Sequence, residues 1–405
     1  METRQLEKRI DISNRWYPLY DGLSKDLLFY IAVDSLFLTI VKGFSAFDIS
    51  LLGVFPTLIC VLMQPLIIRV IKLIGNVWSS RLGTFILLVS SIVITFGTSF
   101  TVIAIGQFLY DISFVFKNVE TIVLRNNLRY QEKSKDEYNR IRGKSNSIYA
   151  EVTFVVSLIV GVMFNINHYL PMYCCIFFCI VSFILSFTFY EVKYDVQEEK
   201  EVRFNEKASK KILLWGLVSY VVFLGIVVIG QQDGKLFIQY QLTDWYGIEA
   251  TAIYLSWIVA ASRVSRIVLN KIFNTIYSKL QEKIPVIMST LLMMAFIAII
   301  LGAIIPGSII VKVLLLTLGF CFVMPMRDAF IIYMDDLLLS NCRVAKQQTL
   351  AANVELLRKL GKIVMNFVIA LILLKVDLFY IMILFALLSF FEIILSKRIV
   401  KLRKF

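Results

Sequence analysis

Apolar residues along this chain come in long blocks rather than in short alternations. Blocks of about 20 residues with few charges recur from end to end, each able to cross a hydrocarbon core about 30 Å thick at about 1.5 Å per residue. The pattern predicts an all-α polytopic membrane protein with twelve spans, at 24–43, 48–70, 82–100, 102–124, 146–165, 170–190, 211–240, 249–272, 284–305, 308–333, 356–375 and 378–396. Gly43, Gly97, Pro171, Gly247, Pro306 and Gly307 punctuate the ends. Asp48 and Glu249 sit at helix starts, where a carboxylate suits the dipole. The ten-residue alternation of an outer-membrane barrel is absent.

The polar segment 191–210 divides the chain into an N-terminal six-helix bundle (1–190), a cytoplasmic linker (191–210) and a C-terminal six-helix bundle (211–405). The two halves echo each other about 200 positions apart. Asp34 in helix one matches Asp233 in helix seven, "DIS" at the start of helix two matches "EAT" at the start of helix eight, and Lys117-Asn118 in helix four matches Arg327-Asp328 in helix ten. Gly143-Lys144 before helix five matches Gly361-Lys362 before helix eleven. Parallel repeats of this kind place a substrate site between the halves, near the bilayer midplane.

Composition agrees: 59% of residues are hydrophobic and 18% charged, with mean hydropathy +0.78. The formal charge of +13 raises nucleic-acid binding, but its distribution removes that reading. With the N-terminus placed inside, 36 of the 42 basic residues fall on cytoplasmic tails, loops and helix ends, Arg263 and Arg266 among them. That asymmetry predicts both termini in the cytoplasm of a multi-pass plasma-membrane protein, with a basic girdle lying near anionic lipid. No nucleic-acid partner is expected, and the chain is read as a monomer. Cysteines such as Cys60, Cys175 and Cys321 stand in apolar runs and behave as small hydrophobes, so no metal or cofactor is expected. The N-terminus is polar through Lys25 and carries no cleavable signal pattern.

The twelve spans, the 6+6 division and the charged central loop resemble the major facilitator superfamily (MFS) of secondary transporters. "GQFLYDISFVFKNVETIVLRNNL" followed by "YNRIRGKSNSIYA" is similar to a bacterial branch of it. The superfamily's loop motif G-x-x-x-D-R-x-G-R-R is reduced here to "IRVIKLIGNVWSSRLG", with Gly75, Arg69, Lys72 and Arg81 but without the Asp and the paired basic residues. The resemblance implies two pseudo-symmetric bundles and transport by alternating access.

Ionisable residues within spans cost several kcal/mol, so each asks for a reason. Asp111 lies mid-depth in helix four, with Asn118 seven residues on along the same face. In helix seven, Gln231, Lys235 and Gln239 form a stripe at i, i+4 and i+8, flanked by Gln232 and Asp233. Gly230 and Gly234 are expected to let that helix bend or open around a cavity. Asp34, Asp111, Asn118, Gln231, Gln232, Asp233, Lys235 and Gln239 are therefore the candidate substrate and coupling residues. Lys117, Glu120, Glu151, Arg327 and Asp328 form a candidate inner gate. With His168 alone in an outer turn, proton coupling falls to carboxylates, Asp34 and Asp111 first.

The leading expectation is a secondary transporter of a small polar or amphiphilic solute. A lipid or lipid-linked-precursor flippase is the alternative within transport. A non-transporting receptor and a membrane-embedded enzyme complete the set. No nucleotide-binding P-loop occurs, and no clustered His, Asp and Glu mark one membrane face.

Overall fold

Helix boundaries follow local chemistry. Ser45 caps the helix that follows helix one, accepting from the Asp48 amide while Asp48 reaches back to the Ser45 amide, a complete capping box. Ser99 caps another, and prolines stand in the first turn of the helices beginning at Leu170 and Ile284. Gly247 has φ 79° and ψ 174°, a conformation that breaks the helix and that a residue with a Cβ avoids.

The computed structural model describes residues 2–132, 135–192, 206–280, 283–341 and 344–403. Helix one is α1 (Glu2–Ser24) followed, after residues 25–29, by α2 (Tyr30–Leu36) and a π turn (Phe37–Val41). Helix two is α3 (Ala46–Leu52) with α4 (Phe55–Ile74), helix three α5 (Asn76–Phe96), and helix four α6 (Phe100–Lys117) with α7 (Glu120–Tyr130). Helices five and six are α8 (Lys135–Ile166) and α9 (Leu170–Ser186). The long α10 (Glu206–Leu280) holds helices seven and eight, divided at Gly247. The last four are α11 (Ile284–Ile304), α12 (Ile309–Ser340), α13 (Val344–Leu373) and α14 (Leu378–Arg403). All described elements are helical, and most are long and apolar enough to cross a bilayer.

Two compact units result. The first comprises Met1–Lys42 and Phe55–Glu198, and the second Gly43–Val54 and Glu199–Phe405. In the first, α5 packs on α6 and α9, and α1 on α8. In the second, α10 and α11 pack on α12 and α14, and α3 lies on α13. Small residues allow the close crossings, as expected where no hydrophobic force separates helix from lipid. A Cβ on Gly83 would come within 2.7 Å of the Ser113 carbonyl oxygen, and one on Gly319 within 2.6 Å of the Ala295 carbonyl oxygen. Large apolar side chains such as Leu62, Leu73, Ile310 and Leu387 point outward, as a lipid-facing surface requires.

Three expectations change. Helix one begins well before residue 24: the polar run that looked like a tail is α1, whose charges find partners inside the first unit. Helix five begins at Lys135, so Gly143-Lys144 lies within it rather than before it. The break expected at Gly230 and Gly234 is absent, and α10 runs through both. Gly230 instead admits a neighbour, since a Cβ there would lie 2.5 Å from the Phe296 ring of α11. Most of the linker, 193–205, lies outside the described residues.

Candidate functional site

In the first unit the polar chemistry gathers where helix one is interrupted. Transporter helices commonly break where they line a cavity, because exposed carbonyls and amides there can be satisfied only by side chains, water or ligand. Here side chains do it. Lys117, from the last turn of α6, donates to the Ser24 carbonyl oxygen and to its hydroxyl (2.7 Å), capping the C-terminus of α1. Asp26 accepts the Tyr110 hydroxyl at 2.6 Å and the Leu27 amide at 2.8 Å. Lys25 donates to Asn146 and stands 3.5 Å from Asp21, while Asp21 also accepts from Ser145 and from Arg142 at 3.3 Å. Arg142 donates to the Tyr17 hydroxyl at 3.0 Å as well.

Lys117 and Glu120 are 3% and 4% exposed, with Nζ and Oε2 4.0 Å apart, and the Tyr20 ring lies 5.4 Å from Nζ. Tyr20 in turn shares hydrogen bonds with Ser80 (3.0 Å) and Thr84 (2.7 Å). The predicted gate pair is thus the wall of a buried charge network spanning α1, α6, α7 and α8. Glu151 does not join it: it is exposed on α8 and makes no ion pair among the described residues. Asp111 is partly buried and accepts the Thr57 hydroxyl at 2.9 Å. Asn118 is exposed and caps the C-terminus of α6, where helix four breaks, its backbone amide still bonded to the Phe114 carbonyl oxygen. Asp34 is partly exposed, with its carboxylate on the Ser35 amide at 2.6 Å.

In the second unit, the stretch Gln231–Gln239 lies inside α10, and Asp233, Lys235 and Gln239 are all buried. Asp233 is 1% exposed, and neither carboxylate oxygen has a hydrogen-bond partner among the described residues. Gln231 and Gln232 are partly exposed, and the Gln232 amide approaches the Ile49 carbonyl oxygen of α3 at 3.5 Å. Asn366 of α13, fully buried beside Gly53, has neither side-chain polar atom satisfied. Nearer the other end of the unit, Asp328 of α12 is gripped by Arg266 through two bonds of 2.7 and 2.9 Å. The arginine that holds it in this way comes from helix eight, and Arg327, the other candidate gate residue of the second unit, precedes it on α12.

Several participants escaped the sequence reading. Asp21 and Arg142 were hidden by the assumption that polar sequence before residue 24 and between spans four and five is solvated loop, and Lys25 and Asp26 by their place at the very start of span one. Glu392, buried in α14 and accepting from Ser219 and from Ser396 (3.2 Å), interrupts an otherwise apolar run and could have been found by that alone. No group of three or more His, Cys, Asp or Glu side chains suited to a metal occurs among the described residues.

No protein-family model matches the chain, and no curated protein matches it either. Solved structures do. The nucleoside transporter NupG aligns with TM-score 0.72 over 97% of this chain and 99% of its own, at 11% identity. A bacterial homologue of the human lysosomal transporter Spinster, inward-facing and unoccupied, aligns with TM-score 0.63 over 88% of this chain and 81% of its own, at 14% identity. Both are MFS transporters, and the chain has their twelve-helix all-α fold.

Proposed function

We propose that this protein is a secondary active transporter that moves a small polar or amphiphilic solute across the plasma membrane by alternating access. The bundles 1–190 and 211–405 are the moving bodies, linked through 191–210, with both termini in the cytoplasm. Transport is coupled to protons through intramembrane carboxylates, with Asp233 now placed ahead of Asp34 and Asp111.

The observation that carries this reading is the setting of Asp233. A carboxylate that is 1% exposed and has no hydrogen-bond donor among the described residues costs several kcal/mol to keep. Packing does not require it, because a leucine or asparagine would fill the same helical position. A group that takes a proton when sealed and releases it when opened to water supplies the reason. Asp111, held by a single hydroxyl, keeps acceptor capacity free for the same traffic or for solute, and Asp34 lies partly exposed with its carboxylate on the Ser35 amide. Gln231, Gln232, Lys235 and Gln239 add amide and ammonium groups along the same helix, and Asn118 adds an exposed amide at the helix-four break.

The test is uptake into proteoliposomes under an imposed pH gradient. Radiolabelled nucleosides come first because a neighbour in fold transports them, followed by amino acids, sugars and organic phosphates. An inwardly directed proton gradient should drive accumulation of at least one solute, and a protonophore should abolish it. Flux indifferent to the gradient would remove the coupling, and absence of flux across the whole panel would remove the transporter reading.

A further inference from the structure

An arginine in the second unit has no counter-charge among the described residues. Arg263, in the second helical segment of α10, is 5% exposed, and its buried Nε has no acceptor. It makes no hydrogen bond, ion pair or ring contact among the described residues. A guanidinium stays charged in any protein environment, with five N–H donors and no acceptor. A lysine or carboxylate in such a place can shed its charge, but arginine cannot.

Charged residues along the same helix and on α12 are engaged elsewhere. Arg266 lies one turn further along the same helical face and is committed to Asp328 through both ends of its guanidinium, at 2.7 and 2.9 Å. Arg327 adds another positive charge beside Asp328 on α12. Asp335, two turns further on, accepts the Tyr220 hydroxyl at 2.7 Å. The hydroxyl of Ser262 is spent on the Val259 carbonyl oxygen at 2.7 Å. Among the described residues, neither Asp328 nor Asp335 is bonded to Arg263. A buried guanidinium whose Nε has no acceptor is expensive to keep.

We infer that Arg263 is the anchor of an oxyanion subsite, and that the group bound there is a phosphate or carboxylate of the ligand. The forked guanidinium meets either group with two parallel bonds, which also fixes orientation. The substrate class narrows accordingly, from any polar solute to an organic anion. The inference rests on the transporter reading only in taking the subsite to be part of the transport site. Its test reads binding and stability without flux, so failure of transport leaves it standing. The oxyanion has two sources, a dissolved solute and an anionic lipid headgroup.

The full-length protein in phosphatidylcholine nanodiscs is titrated with orthophosphate, with uridine monophosphate against uridine, and with chloride at matched ionic strength. Melting temperature is the readout. Orthophosphate or the monophosphate should raise it, uridine and chloride should not, and Arg263→Gln should weaken the effect about tenfold or more. Arg263→Lys should retain part of it. In a second arm, phosphatidylglycerol is mixed into the nanodiscs. Stabilisation by that lipid but by no soluble anion, lost in Arg263→Gln, assigns the same subsite to a headgroup.

Stability without ligand is the second measurement. Removing an uncompensated charge should leave ligand-free Arg263→Gln at least as stable as the parent, whereas removing a structural arginine would lower its melting temperature. A destabilised ligand-free Arg263→Gln, an anion response that survives the substitution, or no response to phosphate or anionic lipid overturns the inference.

Discussion

Replacing Lys117 with methionine removes the charge at the centre of the first unit's network while keeping the length of the side chain. Its ammonium stands 4.0 Å from Glu120 Oε2. Two unit charges at that separation attract by about 4 kcal/mol at an effective dielectric near 20, while the desolvation of each opposes the gain by several kcal/mol. The net worth of the pair is therefore small, but the loss of one member is not: Glu120 is left buried beside Asp21. Lys117→Met should cost about 3–5 kcal/mol, the range for a buried pair broken on one side. The Ser24 carbonyl and hydroxyl also lose their donor, so α1 loses its C-terminal cap. Glu120→Gln in the same chain should recover about 2 kcal/mol, because a neutral amide no longer needs the ammonium, while the lost cap remains unrecovered. Thermal or denaturant unfolding in one detergent, run on the parent, both single variants and the double variant, gives the cycle. Lys117→Met as stable as the parent, or a double variant no better than Lys117→Met, would refute the network as drawn.

Further outcomes follow from other contacts. Gly230→Val should destabilise the second unit by about 1–3 kcal/mol through overlap with Phe296, and Phe296→Leu should restore part of the loss in a melting experiment. Arg266→Lys keeps the charge but loses the two-point grip on Asp328, and should cost about 1–2 kcal/mol in the same assay. An unchanged melting temperature there would mean the pair is not formed in the membrane. In a chain cleared of its six cysteines, His168→Cys should react with a membrane-impermeant maleimide on intact cells. Lys72→Cys should react only after permeabilisation, and the reverse pattern would invert the topology.

Apolar blocks announced most of the helices, because lipid imposes length and hydropathy on anything that crosses it. Helix nine shows this best: read as 284–305, it spans Ile284–Ile304, with a proline in its first turn and Pro306-Gly307 just beyond its end. Helix one shows where that logic stops. Its inner part is polar because the partners are protein, and Lys117, Arg142, Ser145 and Asn146 lie more than 90 positions away in sequence. The glycines of helix seven were read as freedom to bend, whereas Gly230 serves a ring on α11 that no local pattern reveals. Arg263 looked like one more member of a cytoplasmic girdle, and only its burial separates it from Arg266 three residues on. Polar residues at helix ends are ambiguous in sequence because solvated charges and buried ones are written in the same letters.

Asp233 is the group we propose to couple the proton to transport. Its most direct test compares two modes of flux in proteoliposomes, using any solute that the parent protein accumulates. Asp233→Asn should abolish accumulation driven by the pH gradient while leaving solute exchange at equal pH on both sides largely intact, because exchange needs no net proton movement. Accumulation that persists in Asp233→Asn at the parent's level would contradict it.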